Sequence, residues 1–560
     1  MERAMAEREI RIYIGATSLR TSLGNKTATV AAMSRGESGL HFSDRYGMSV
    51  GELDVDMRDG YTRFESLVIE QVTAIGQMSE VDFADEDTLL IISTTKGNIE
   101  LLAECEDNPN EKTFLGASAL RVAEHCGCAN KPCVISNACI SGVSAFVVAR
   151  DMMLAGRYRN VVVVGCDVLS EFITEGFASF KSISASTCLP YDARRDGLTL
   201  GEACGAVLLT TEERYASTPY IYLTGGAVTN DANHISGPSR TGDGLYYAIE
   251  EAMSQAGVSS VDVGFVNTHG TATEYNDEME SKALAWAELC DVPTNSLKGY
   301  IGHTLGASGV VELALCVEEL RQGYIFSTAG FNTLGTPHRV GVSAANQTIG
   351  KRCCLKTASG FGGCNAAVLL DMECRSIGAG AVCNREIKVS EAARYVLPQS
   401  ELLFSEYIRR EFKSLGEPNM KFYKMSDMCK ALYVAVERLL AQVGGWKDVE
   451  PRRRAIVLAN RSASLDADMI HQQIVNRHLP EGASPAAFVY TLPNVAAGEI
   501  CIKHKIQGNN TFFVEEAESG IAGRYASRLI ATDRADSVIC GWCDYLSGQW
   551  SVDIRLLKKS

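Results

Sequence analysis

Short, unbroken apolar runs alternate along the chain with longer stretches in which apolar residues return at helical spacing. The runs fall at 88–93, 133–136, 161–165, 206–210, 263–267 and 366–370, and their length and lack of polar interruption predict strands buried on both faces. Stretches such as 64–75, and one opening near Ser141, predict helices layered over that sheet. The class is therefore α/β. After the last strong run, Ser376-Ile-Gly-Ala-Gly-Ala-Val-Cys-Asn384 is glycine-rich and unpatterned, which marks 376–384 as a linker. The tail 385–560 repeats the front. Ser141-Gly, amphipathic helix, buried strand, then Cys166-Asp167 is matched by Ser519-Gly, helix, strand, then Cys543-Asp544. Upstream, 64–75 and 88–93 have counterparts at 429–440 and 455–460, so one order of elements recurs.

Composition narrows the class without changing it. The 560 residues are 46% apolar and 22% charged, with mean hydropathy −0.01, which excludes disordered, collagen-like and coiled-coil chains. A formal charge of −15 argues against nucleic acid as the main partner. The 19 cysteines, an odd number without a compact framework, suit a reducing, cytoplasmic compartment. Neither Cys126-Gly-Cys128 nor Cys353-Cys354 has a second Cys or His pair at zinc spacing, so both are read as buried thiols and no metal is expected. The charged start lacks the apolar stretch of a secretory signal, and 132–149 is too interrupted by polar residues to span a bilayer.

Candidate chemistry gathers at three turns. Cys139 lies in Asn137-Ala-Cys-Ile-Ser-Gly142, between a buried strand and a helix, where backbone N–H groups and the helix dipole favour a thiolate. His269 and His303 sit in polar, glycine-containing turns after apolar runs. Forming an enolate from a thioester needs two imidazole nitrogens at one carbonyl oxygen and a nucleophile to hold the other substrate; these three residues meet that need. The remaining histidines are read as core or capping residues. Gly360-Phe-Gly-Gly-Cys-Asn365 could bring backbone N–H groups to an oxyanion, and no Lys-Ser or Lys-Thr follows it to make a phosphate loop.

Taken in order, Asn137-Ala-Cys-Ile-Ser-Gly142, Pro190-Tyr-Asp-Ala-Arg-Arg-Asp-Gly197, His269-Gly-Thr-Ala-Thr273, Lys298 with Gly302-His-Thr-Leu-Gly-Ala307, and Gly360-Phe-Gly-Gly363 resemble the elongating β-ketoacyl-acyl carrier protein synthases over residues 8–372. The resemblance implies a thiolase-like fold with α-β-α-β-α layers, built from a nucleophile half at 1–240 and a histidine half at 241–375. It also implies decarboxylative Claisen condensation of an acyl thioester with a malonyl thioester. Cys139 would carry the acyl chain; His269 and His303 would promote decarboxylation; Lys298 would pair with Glu312. The N–H groups of Cys139 and Phe361 would form the oxyanion hole, with the Phe361 ring as gate, and Thr271 and Thr273 would grip the pantetheine arm. The implied partner is an acyl carrier protein, whose 4'-phosphopantetheine is the only prosthetic group required.

The sequence departs from the family at Glu274, where proline is usual, at Ala203 in place of a glycine, and at Cys364 in place of a threonine. Cys364 opens an alternative reading as a thiolase, which the histidine pair disfavours. The tail resembles the nucleophile half, but Ala517 falls where Cys139 does. It looks like the chain-length-factor-like subunits of aryl polyene clusters, fused here as an additional half-ketosynthase α/β domain at 385–560. An intramolecular pseudo-dimer with 515–520 near the Cys139 pocket is therefore expected. The alternative is a noncatalytic, carrier-binding scaffold. Lys181, Arg194, Arg195 and Arg240 are the candidate docking patch for an acidic carrier protein.

Overall fold

The computed structural model describes residues 10–105, 109–374, 387–478 and 482–560; the linker expected at 376–384 lies outside the described residues. Sixteen strands form one sheet, and all but Gly24–Asn25 lie on a single path. In chain order they are β1 (Tyr13–Thr21), β2 (Thr88–Ser93), β3 (Cys133–Ile135), β4 (Asn160–Asp167), β5 (Ala203–Thr210), β6 (Tyr222–Asn230), β7 (Phe265–Asn267), β8 (Thr294–Asn295), β9 (Cys353–Gly360), β10 (Cys364–Asp371), β11 (Val389–Val396), β12 (Arg454–Asn460), β13 (Asn510–Val514), β14 (Ser537–Leu546) and β15 (Gln549–Lys559). The path runs β8-β7-β9-β10-β6-β1-β5-β4-β2-β3-β13-β12-β14-β15-β11. Each consecutive five is thus laid out in one order: third, second, fourth, fifth, first. The strand at 222–230, assigned by the 240/241 boundary to the first half, pairs with β10 from Tyr222↔Asp371 to Asn230↔Cys364, so the second repeat begins earlier than the sequence suggested.

Helices α1 (Arg63–Ser79) and α2 (Leu115–His125) form one outer layer. Helix α1 starts where Thr62 and Glu65 close a capping box, and it buries Phe64, Leu67, Val68, Val72 and Ile75. Helix α3 (Ser141–Leu154) touches β2, β4, β6 and β10, while α4 (Asp243–Ala256) and α5 (Glu274–Trp286) form the other outer layer. Helix α6 (Ser308–Gln322) joins α3 in the middle, giving five layers, α-β-α-β-α. Glycine lets the central helices meet: a Cβ on Gly142 would lie 2.8 Å from the Val310 nitrogen, and one on Gly165 would lie 2.8 Å from the Val310 side chain.

The third repeat has helices on both faces of its strands and, among the described residues, no second sheet beyond them. Helix α7 (Asp427–Leu440), capped by Ser426, packs on β14 and β15. Three helices, α8 (Leu465–Val475), α9 (Pro485–Val489) and α10 (Asn494–His504), connect β12 to β13. Helix α11 (Ile521–Ala531) lies against β12 and β14. The first and third repeats join through β3 and β13, antiparallel, with Ile135↔Phe513 and Val134↔Val514. They share a detail: Asp167 accepts Thr94 Oγ1 at 2.7 Å and the Thr95 N–H at 3.0 Å after β2. Asp544 likewise accepts Ser462 Oγ at 2.5 Å and its N–H at 3.0 Å after β12. Every described cysteine is a free thiol, and no described helix is long and apolar enough to cross a membrane.

Candidate active site

Between β3 and α3 the chain makes one short turn, Ala138–Ile140, carrying Cys139. Ala138 has φ +49°, a left-handed conformation that costs a non-glycine residue about 1 kcal/mol or more and is kept where the surroundings enforce it. Ser141 Oγ enforces it here, accepting the Asn137 N–H at 2.8 Å and donating to the Ala138 carbonyl at 2.6 Å. His269 leaves the end of β7. Its N–H and that of Gly270 donate to the two oxygens of Glu280 on α5, at 2.8 and 2.6 Å. His303 Nδ1 accepts the Leu305 N–H at 3.1 Å, which leaves the proton of the neutral ring on Nε2.

These turns converge. Cys139 Sγ and ring nitrogens of His269 and His303 lie within 4.8 Å of one another, and the two imidazoles meet edge to face with centroids 5.1 Å apart. The same donors could hold a soft metal ion, though a thiol must first lose its proton to ligate. Together with Thr271, Thr273 and Phe361 they line a cavity of about 240 Å³. Thr271 and Thr273 hydroxyls are 2.9 Å apart, and the Phe361 ring packs on Phe177 and Phe180, centroids 6.1 and 5.3 Å away. A Cβ on Gly360 would lie 3.1 Å from the Cys139 nitrogen, so glycine is what lets this loop approach the nucleophile turn. Cys364 is buried, its Sγ 3.2 Å from the Phe361 carbonyl and 3.6 Å from Asn494 Nδ2.

Lys298 and Glu312 pair at 2.6 Å, fully buried behind the histidines rather than in the cavity wall. Sequence reasoning missed the third member, Lys356, whose Nζ is 2.5 Å from the other oxygen of Glu312. Lys356 is the fourth residue of an otherwise apolar or hydroxyl strand, and a lone lysine in such a run was the available signal. Glu280 was missed too; it also accepts the hydroxyl of Tyr191, from the Pro190–Gly197 motif, at 3.0 Å. Burial holds both imidazoles well below their usual range, with Lys298 and Lys356 adding to the effect. Burial likewise pushes the Cys139 thiol up to about 12, against the pull of Lys298 and the N–H groups of Phe361 and Cys139. Burial thus opposes the thiolate that the helix N-terminus was expected to favour.

The segment 515–520 also lies elsewhere than expected. Ala517 is exposed and borders a separate cavity with Gly116, Asn130 and Val134. The reason is strand direction: β13 runs antiparallel to β3, so the turns that follow them emerge at opposite ends of the sheet. The third repeat instead packs α9 and α10 against residues that line the cavity. Asn494 Nδ2 donates to the Phe361 carbonyl at 2.8 Å. The Phe488 ring lies 5.3 Å from Phe177 and 6.2 Å from Phe180, and a Cβ on Gly176 would come within 2.3 Å of it. Of the basic patch, Lys181, Arg194 and Arg240 are exposed. The Arg195 side chain is only 6% exposed and donates to the Gly335 carbonyl at 2.9 Å, so it serves the fold and leaves the patch.

Residues 87–214 match the family model for the beta-ketoacyl synthase, N-terminal domain, and residues 220–332 that for the beta-ketoacyl synthase, C-terminal domain. The chloroplastic 3-oxoacyl-[acyl-carrier-protein] synthase II of Arabidopsis thaliana is 29% identical over 253 residues, 42% of this chain and 45% of that protein. The tetracenomycin polyketide synthase ketoacyl synthase alpha subunit of Streptomyces glaucescens is 30% identical over 277 residues, 46% of this chain and 64% of that one. The matches thus span about half to two thirds of these relatives. Among solved structures, the PfaC keto synthase-chain length factor is 14% identical with a TM-score of 0.77, covering 98% of this chain and 78% of that chain. The ketosynthase ApeO in complex with its chain length factor ApeC, from Xenorhabdus doucetiae, is 24% identical with a TM-score of 0.57, covering 65% and 99%. Residues 87–332 therefore match, in order, both domains of the beta-ketoacyl synthases, on the layered, thiolase-like ketosynthase fold.

Proposed function

We propose that this protein is a β-ketoacyl-acyl carrier protein synthase of fatty acid or polyketide assembly, an acyltransferase acting on acyl and malonyl thioesters. The observation that carries the reading is the convergence of Cys139, His269 and His303 on one small buried cavity. Cys139 sulfur attacks the acyl thioester carbonyl, its proton passing to the departing pantetheine thiol. The new bond is the Cys139 thioester, and the N–H groups of Cys139 and Phe361 face the transient oxyanion. The malonyl thioester then loses CO2. Nε2–H of His303 and the His269 ring, both kept neutral by burial, donate to the thioester oxygen as the enolate forms. The enolate carbon attacks the Cys139 acyl group, forming the new C–C bond; the Cys139 thiolate leaves and takes up one proton from solvent.

The acidic carrier protein implied for this reaction would dock at Lys181, Arg194 and Arg240. The third repeat, without a nucleophile of its own, is read as a chain-length-limiting half whose Phe488 closes the acyl space. Its repeated strand order and its contacts with Phe361 support this reading over a bystander role. The test is incubation with radiolabelled acyl carrier protein followed by malonyl donor. Label on a Cys139 peptide and a product two carbons longer are expected, and Cys139→Ala removes both. Elongation at the parent rate by Cys139→Ala refutes the assignment. Carrier binding without transfer to Cys139 in the parent favours the noncatalytic scaffold.

A further inference from the structure

Lys96, on the turn after β2, belongs to the first repeat and is 5% exposed, yet its ammonium makes its hydrogen bonds to the third. It donates to Asp468 Oδ1 on α8 at 2.7 Å, to Ser464 Oγ at 3.4 Å and to the Thr491 carbonyl. Its backbone serves a different purpose. The N–H groups of Thr95 and Lys96 donate to the Asp167 carboxylate at 3.0 and 3.2 Å. The same carboxylate accepts the Gly306 N–H at 2.7 Å. Gly306 adjoins Leu305, whose N–H donates to His303 Nδ1. Leu305 is held at φ +53°, which a leucine keeps only when its neighbours over-determine it.

Resting on the synthase reading above, we propose that Asp468 is a positioning residue for His303. It anchors Lys96, the Lys96 turn holds Asp167, and Asp167 fixes the Leu305–Gly306 peptide, which sets Leu305 so that its own N–H, in the neighbouring peptide, decides which ring nitrogen of His303 carries the proton. A buried ion pair is a poor source of stability compared with apolar packing, whereas its directional bonds fix one arrangement. The third repeat, which adds no nucleophile or imidazole to the cavity, would thereby be required for the chemistry as well as for the shape of the acyl space.

Three measurements on the full chain test this: kcat and KM of condensation, melting temperature, and the 15N spectrum of His303, assigned by its loss in His303→Gln. In Asp468→Ala, kcat should fall about tenfold or more with KM nearly unchanged, and His303 should change from the Nε2–H tautomer to a mixture. Because Asp468→Ala leaves Lys96 buried without its carboxylate and can misfold, Lys96→Met with Asp468→Leu supplies an apolar pair. It should recover the melting temperature but neither the rate nor the tautomer. The proposal fails if Asp468→Ala folds with parental kcat and tautomer, or if the apolar pair restores all three properties. A parent that never condenses, with a tautomer change still seen in Asp468→Ala, would overturn the synthase reading and leave the positioning role standing.

Discussion

Two ammonium groups share one carboxylate behind the histidines, so the buried Lys298–Glu312–Lys356 cluster carries one net positive charge. That charge acts on both imidazoles and, in the proposed reaction, on the site where the enolate charge would form as CO2 leaves. In Lys356→Met the cluster becomes neutral. Condensation kcat should then fall by about tenfold to a hundredfold, as for loss of one electrostatic stabiliser. The pH profile should shift as well. Burial and the lysines hold both imidazoles low, so removing a cation raises their pKa values and the rings gain protons at higher pH. The acid limb of the profile should therefore move up, and an unmoved limb with parental kcat would make Lys356 a bystander. Cys139, His269 and His303 were legible in the sequence because each sits in a short polar turn after an apolar run. Lys356 was not, since nothing local to β9 reveals that a carboxylate 44 residues earlier in the chain lies opposite.

Most strands were legible for the same reason: the run at 88–93 is β2 itself, and Ser141 is where α3 begins. A fully buried strand must be apolar throughout, so its bounds are written in composition. The bounds of repeats were less legible, because β6 looks like any other buried strand until its partner is known. Element direction was the larger omission. Aligning Ala517 with Cys139 placed 515–520 at the pocket, whereas antiparallel pairing of β3 and β13 sends that segment to the other end and brings α9 forward. Phe488 on α9 fills the space opposite Gly176 and Phe177. Shortening it to alanine should lengthen the product by one or more two-carbon units, measured by mass spectrometry of the carrier-bound chains. An unchanged product distribution would show that the acyl space ends elsewhere. In Gly176→Ala the added methyl would clash with that ring, so slower acylation is expected there unless Phe488 is shortened as well.

At the scale of the whole molecule, docking of the proposed acidic carrier protein on a chain of net charge −15 requires a local positive patch. Reversing Lys181, Arg194 and Arg240 together should raise the KM for carrier-bound substrate, with the gap narrowing as salt shortens the reach of the field. Because Arg195 supports the fold through Gly335, its reversal should cost stability, read as a lower melting temperature; an unchanged KM in the triple reversal would move docking elsewhere. The pairing of β3 with β13 sets a final condition, on how the chain is made. Cys133-Val-Ile135 is an apolar edge, and its partner strand is synthesised last but one helix and two strands. Until Val514 leaves the ribosome, the first repeat displays unpaired N–H and C=O groups along a hydrophobic strand, the arrangement that recruits other chains. Folding is thus committed late and over long sequence separation. A chain truncated before β13 would carry that edge permanently and be prone to aggregation rather than to independent catalysis.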